Sequence, residues 1–187
     1  MLFRSASSTS TDTVAASFYL DNGNGVFDAS DLLLGADTDG SNGYAISVAP
    51  LGLPLGTARF FTVVSDNYNL TSAARSATAT VTSRPHIDGG FTASPDPVSK
   101  GQTITLTALN AVDDDGTVAS VSFYRDVNGD GLVTSVDKLL GTDATPADGF
   151  NLAVSSASTN LVTGLNKLIA VAKDNLGVTS LPVLTTV

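Results

Sequence analysis

One half of this chain restates the other, and that constrains its fold more than any other feature. Ser17-Phe18-Tyr19 returns as Ser122-Phe123-Tyr124. Asn22-Gly-Asn-Gly25 returns as Asn128-Gly-Asp-Gly131, and Asp31-Leu-Leu-Leu-Gly35 as Asp137-Lys-Leu-Leu-Gly141. Asp37, Gly43-Tyr44 and Asp66-Asn67 are answered by Asp143, Gly149-Phe150 and Asp174-Asn175. The offsets stay between 105 and 108, and the order never changes. Chance does not produce such a series, so the chain is read as two copies of one domain. The copies fall at residues 1–83 and 84–187, with Ser83-Arg-Pro-His86 at the junction. Less chain precedes Phe18 than separates Arg84 from Phe123. The first copy is therefore expected to lack its first strand or strands, the counterpart of Ile87 to about Gly101.

Each copy reads as strands and turns. Ile104, Leu106 and Ala108 alternate with threonines, and Ala119, Val121 and Phe123 alternate with Ser120, Ser122 and Tyr124. Residues 149–154 form another short run. Leu168 to Ala172 is nearly continuous and apolar, as a central strand should be, and Val178 to Val187 closes the copy with Pro182 marking an edge or bulge. Composition agrees. All 18 acidic residues are Asp, there is no Glu, and the residues that favour helix interiors are scarce. The expected fold is all-β: two tandem immunoglobulin-like β-sandwich domains of about seven strands each, the first truncated at its N-terminus.

Three stretches carry a family resemblance: Asp113-DDGTVASVSFYRDVNGD-Gly131, Asp137-KLLGT-Asp143 and Ala170-VAKDNLGVT-Ser180. With their partners in the first copy, they resemble bacterial extracellular immunoglobulin-like tandem repeats, of the Big or cadherin-like kind. The resemblance implies a module of a large secreted or surface protein, serving as spacer, adhesive stalk or companion to an enzyme. Neighbouring repeats of the same protein are then the expected partners, and the cell surface or exterior the expected location.

The sharpest chemical signal lies in the second copy. Asp126, Asn128, Asp130, Gly131, Leu132, Thr134 and Asp137 match positions 1, 3, 5, 6, 7, 9 and 12 of a calcium loop. Calcium takes six to eight hard oxygens, and this spacing wraps side-chain oxygens and one carbonyl around a single point. Position 12 is Asp where helix-loop-helix sites have a bidentate Glu, and the flanks are strands. In the first copy, counting back from Asp31 places Asn22, Asn24, Gly25, Val26 and Asp28 at positions 3, 5, 6, 7 and 9. Position 1 then falls on Leu20, with Asp21 one residue away. Either the loop is one residue tighter and Asp21 takes the role, or the site is weak. A third acidic set, Asp113, Asp115 and Asp174, occupies turns expected at one end of the second domain. It is a candidate interdomain cation site, against the plainer reading of solvated turns.

Other chemistries are excluded or disfavoured. The net charge of −9 leaves no basic patch for nucleic acid or an anionic membrane surface. No apolar run is long enough for membrane insertion. Residues 1–10 carry a single Arg and no apolar core, so any export signal is expected outside this chain. With no Cys and one His, His86 in the presumed linker, no nucleophilic triad is expected, and the chain is not read as an enzyme. The reading is a calcium-binding structural, spacer or adhesion module. Its rival is an ancillary module that binds carbohydrate or a host protein beside an extracellular enzyme.

Overall fold

The computed structural model describes residues 2–4, 13–49, 52–157 and 160–187. The chain divides into two compact units, Met1–Thr82 and Ser83–Val187. Both are built from antiparallel strands, and their only helical segments among the described residues are single 3₁₀ turns, Gly40–Asn42 and Pro146–Asp148.

Unit one contains β1 (Leu2–Arg4), β2 (Thr13–Leu20), β3 (Leu32–Asp37), β4 (Ala45–Ser47), β5 (Gly56–Asp66) and β6 (Arg75–Val81). Four of these form a sheet in the order β3-β2-β5-β6, and β1 pairs with β4. Alternation on β2 sends Ala16 and Phe18 inward. On β5, Phe60 and Phe61 are both buried although they face opposite sides of the sheet. The outer one, Phe61, is covered by Phe27 from the loop between β2 and β3, at 5.7 Å between ring centres.

Unit two contains β7 (His86–Ile87), β8 (Phe91–Ser94), β9 (Thr103–Ala108), β10 (Ala111–Val112), β11 (Val118–Asp126), β12 (Lys138–Asp143), β13 (Asn151–Ser155), β14 (Lys167–Asp174) and β15 (Val183–Thr186). One sheet runs β12-β11-β14-β15 and the other β13-β9-β8, with β7 and β10 as a short extra pair. The core lies between the two sheets. Phe123, Leu168 and Ala170 meet Phe91, Ile104, Leu106 and Val154 there, all buried. This is a β-sandwich with hairpins β11–β12 and β14–β15 in one sheet and strand crossings to the other, the immunoglobulin-like arrangement.

The two larger sheets correspond strand for strand. Each carries a β-bulge at the same place, between Phe18 and Tyr19 in one and Phe123 and Tyr124 in the other. Each ends its long hairpin with the same isolated bridge, Ser65–Thr71 and Lys173–Thr179. β1 lies against β4 as β9 lies against β13, and the described part of unit one holds no counterpart of β8.

Two sequence expectations change. Ala119 is exposed and Val118 is buried, because a register shift between Val118 and Ser120 resets the alternation before Val121 and Phe123. His86, read as a linker residue, is half-buried in β7 and lies 3.4 Å from Asp88 through Nε2.

Candidate metal centre

The second loop starts where β11 ends and closes where β12 begins. Its first carboxylate, Asp126, is buried against the sheet at 7 % exposure. Its Oδ1 accepts the Gly129 amide at 2.6 Å and its Oδ2 the Gly131 amide at 3.0 Å. Gly131 sits at φ +75°, which a side chain with Cβ resists, so glycine belongs at this sharp turn. Asp137 closes the ring from the other end. Its Oδ1 accepts the Val127 amide at 2.9 Å, and its Oδ2 accepts the Thr134 amide at 2.6 Å and hydroxyl at 2.8 Å. Asp130 takes the Leu132 amide at 2.8 Å and the Asn128 side-chain amide at 2.7 Å. Donation by the Val127 amide, aided by Thr134 and opposed by partial burial, holds the Asp137 carboxyl below its ordinary pKa. Asp137 is therefore an anion throughout the neutral range. A carboxylate oxygen has two lone pairs. On Asp126 Oδ1 and Oδ2 and on Asp137 Oδ1 a single amide fixes the group's direction and leaves one lone pair for a cation, as outer-shell partners of metal ligands do, whereas Thr134 takes both on Asp137 Oδ2.

The first loop is built on the same frame. Asp21 Oδ1 accepts the Gly23 amide at 3.0 Å and the Gly25 amide at 3.1 Å, matching Asp126 with Gly129 and Gly131. Asp31 accepts the Asn22 amide at 3.1 Å and the Asp28 amide at 3.0 Å, matching Asp137 with Val127 and Thr134. In this hydrogen-bond frame Asp21, and not Leu20, holds the place that Asp126 holds in the second loop. One residue is saved because Asn22 does two jobs. Its amide takes the place of Val127, and its side-chain oxygen accepts the Asn24 amide at 3.0 Å as Asn128 accepts that of Asp130 at 3.3 Å. Asn24 in turn accepts the Val26 amide at 2.8 Å. Asp28 lies below its ordinary pKa, chiefly through the Ser30 hydroxyl, then the Ser30 amide and Asn24.

The third set is held in part by a serine. The Ser83 hydroxyl donates to Asp113 Oδ1 at 3.1 Å and Asp115 Oδ1 at 2.6 Å, and the Ser83 amide to both Asp115 oxygens at 3.2 Å. Asp174, 2 % exposed, uses Oδ1 to accept the Leu176 and Val178 amides at 2.8 Å each, which makes it a turn-former as Asp66 is in unit one. The Oδ2 atoms of Asp113 and Asp174 are buried without a hydrogen-bond partner among the described residues. Nowhere among the described residues do three or more His, Asp or Glu side chains converge as a cation cage. In the two loops the acid oxygens are spread along a ring of backbone amides, with amide-side-chain oxygens between them.

Four contributors went unread in the sequence. Arg59 and Lys167 lie next to the first carboxylate of each loop, on β5 and β14. The Asp21 amide donates to the Arg59 carbonyl at 2.9 Å, and Asp126 pairs with Lys167 in register. Their offset of 108 equals that of Asp66 and Asp174, which is the signal that pointed to them. Phe27 and Ser30 are the others, and neither recurs, for Val133 and Val136 replace them. Unit two also has a cavity of about 640 Å³ at one end of its sandwich, lined by Asp96, Val98, Lys100, Leu161, Leu165 and Asn166 among others, with no aromatic side chain.

No protein-family model matches the chain, and no curated protein does. Among solved structures, the chain is similar to fibronectin(III)-like modules of Clostridium thermocellum CbhA. The identity is 18 %, over 97 % of this chain and 80 % of that one, with a TM-score of 0.44. Among the described residues no helix is long and apolar enough to cross a membrane. The sandwich itself is an all-β, immunoglobulin-like scaffold of the kind that presents loops at its ends.

Proposed function

We propose that this chain is a non-catalytic, calcium-binding structural module, a spacer or adhesion repeat of a bacterial secreted or surface protein. The observation that carries the reading is the second loop. Its two terminal carboxylates, Asp126 and Asp137, are each oriented by loop amides, with Asp130, Asn128 and Thr134 between them. Three Asp in one loop repel each other, and a divalent cation turns that repulsion into closure of the β11–β12 connection. Calcium fits the hard-oxygen set. The ion would stiffen the loop and have no part in a reaction.

Extracellular calcium modules bind at about 10⁻⁴ to 10⁻³ M. At about 10 mM calcium, a site in that range stabilises its domain by about 1.4–2.7 kcal/mol, from RT ln(1 + [L]/Kd). The expected outcome is a melting temperature several degrees higher in calcium than in chelator, lost in Asp126→Asn. Magnesium, which demands a tighter octahedral shell, is expected to do less. An identical melt in calcium and in chelator would reject the reading.

A further inference from the structure

We propose that the first loop carries its own cation, so that the chain binds calcium in the second loop alone and the residue at the Arg59/Lys167 position decides which loop takes the metal. This rests on the calcium reading above. The loops share a frame and differ in what closes them. In unit one the Arg59 guanidinium lies 3.8 Å from Asp21 Oδ2 through Nε, and its Nη1 donates to the Gly25 carbonyl at 3.2 Å. The Asp21 side chain beneath it is 5 % exposed. A planar fork thus spans the first carboxylate and the turn carbonyl at once, a grip that the geometry of arginine allows. The guanidinium lies so close that a Cβ on Gly25 would meet it at 3.3 Å.

Lys167 stands in the corresponding place and does less. Its ammonium donates only to the Gly129 carbonyl, at 3.4 Å, and makes no ion pair with Asp126 among the described residues. The remaining closure follows the same division. Phe27 stacks edge-on against Tyr19 at 4.9 Å and covers Phe61, whereas its counterpart Val133 is exposed. Ser30 donates to Asp28 and accepts from Asn22, bridging two of the loop's oxygen-bearing side chains. Its counterpart Val136 is exposed and carries no polar group. Loop one is closed by side chains already present, and a calcium ion there must displace a guanidinium. Loop two keeps three Asp with a single distant ammonium.

The test follows the Gly25 and Gly131 amides of the ¹⁵N-labelled full chain during a calcium titration, since each donates to the first carboxylate of its loop. In the wild type Gly131 is expected to shift and saturate while Gly25 stays still. Arg59→Gln should give Gly25 a saturable response and raise the stoichiometry from one to two, with Arg59→Lys doing so more weakly. Lys167→Arg should weaken the response of Gly131. A wild-type Gly25 that titrates alongside Gly131 overturns the proposal, as does an Arg59→Gln chain whose Gly25 still ignores calcium. A second arm needs no metal. In chelator, Arg59→Gln should speed amide exchange at Gly25 by about fivefold, the loss of one half-buried ion pair and its hydrogen bond. If neither glycine answers calcium in the wild type, the calcium reading falls. The exchange arm then judges Arg59 by itself: acceleration upholds its closing role, and an unchanged rate overturns it.

Discussion

Asp137 shows how a single carboxylate ties this fold to pH. Three donors, the Val127 and Thr134 amides and the Thr134 hydroxyl, meet its two oxygens. They favour the ionised form, so the folded pKa lies below that of the unfolded chain, about 3.9. A carboxyl with a depressed folded pKa adds stability above the unfolded value, and that stability is lost as pH falls through the folded value. Asp137→Asn keeps the shape and removes the charge. In chelator it is expected to cost about 1 kcal/mol at neutral pH, because one oxygen becomes an amide that cannot accept and the remaining hydrogen bonds lose their charge assistance. The melting gap between wild type and variant should hold from about pH 7 to 5 and narrow below about pH 4. An unchanged gap across the acid range would show that charge is not what Asp137 contributes. Asp28 is also held below its ordinary pKa, chiefly by the Ser30 hydroxyl. At this scale the loops were legible as spacing. The grip of Arg59 was not, because it comes from a strand some 30 residues further on, and only pairing brings it near.

At the scale of elements, what repeats is the sheet, down to its irregularities. β2 and β11 share a bulge beside Phe18 and Phe123, and the 3₁₀ turns that lead into β4 and β13 each end on a left-handed Gly, Gly43 and Gly149. The correspondence of the two copies was readable because aromatic residues, glycines and Asp sit at kept offsets. The bulge between Val118 and Ser120 was not readable. Alternation by itself put Ala119 inside, and only the ladder with β14 shows the slip. The copies part where β3 meets β4 and β12 meets β13. A Cβ on Gly141 would lie 2.8 Å from Leu152 Cδ2, while one on Gly35 would meet Ile46 Cδ1 at an ordinary 3.7 Å. Both glycines lie within strands, so backbone freedom is not the issue. Gly141→Ala should therefore destabilise unit two by about 1–3 kcal/mol through overpacking, whereas Gly35→Ala should be near neutral in unit one. Chemical denaturation of the two variants checks this, and equal effects would show that the close approach of Leu152 relaxes at no cost.

At the scale of the whole molecule, two units with separate cores need not melt together. Among the described residues, six buried apolar side chains belong to unit one, Ala16, Phe18, Ala58, Phe60, Phe61 and Val63, against fourteen in unit two. Each large side chain removed from water contributes about 1.5–3 kcal/mol before entropy is counted. Unit two, with strands on both sides of its core, should therefore open last. Calcium acting on the loop after β11 would add to that lead without touching unit one. Hydrogen exchange followed by mass spectrometry across a temperature series separates the two, through peptides containing Phe18 and Phe123. In chelator the Phe18 peptide should lose protection first. In calcium its transition should stay in place while that of the Phe123 peptide moves up by several degrees, widening the gap. Phe123→Ala, which empties a site of 0 % exposure, should cost about 3–5 kcal/mol and reverse the order. A single transition shared by both peptides, moving as one in calcium, would mean that the units fold as one body and that a spacer built from separable repeats is the wrong description.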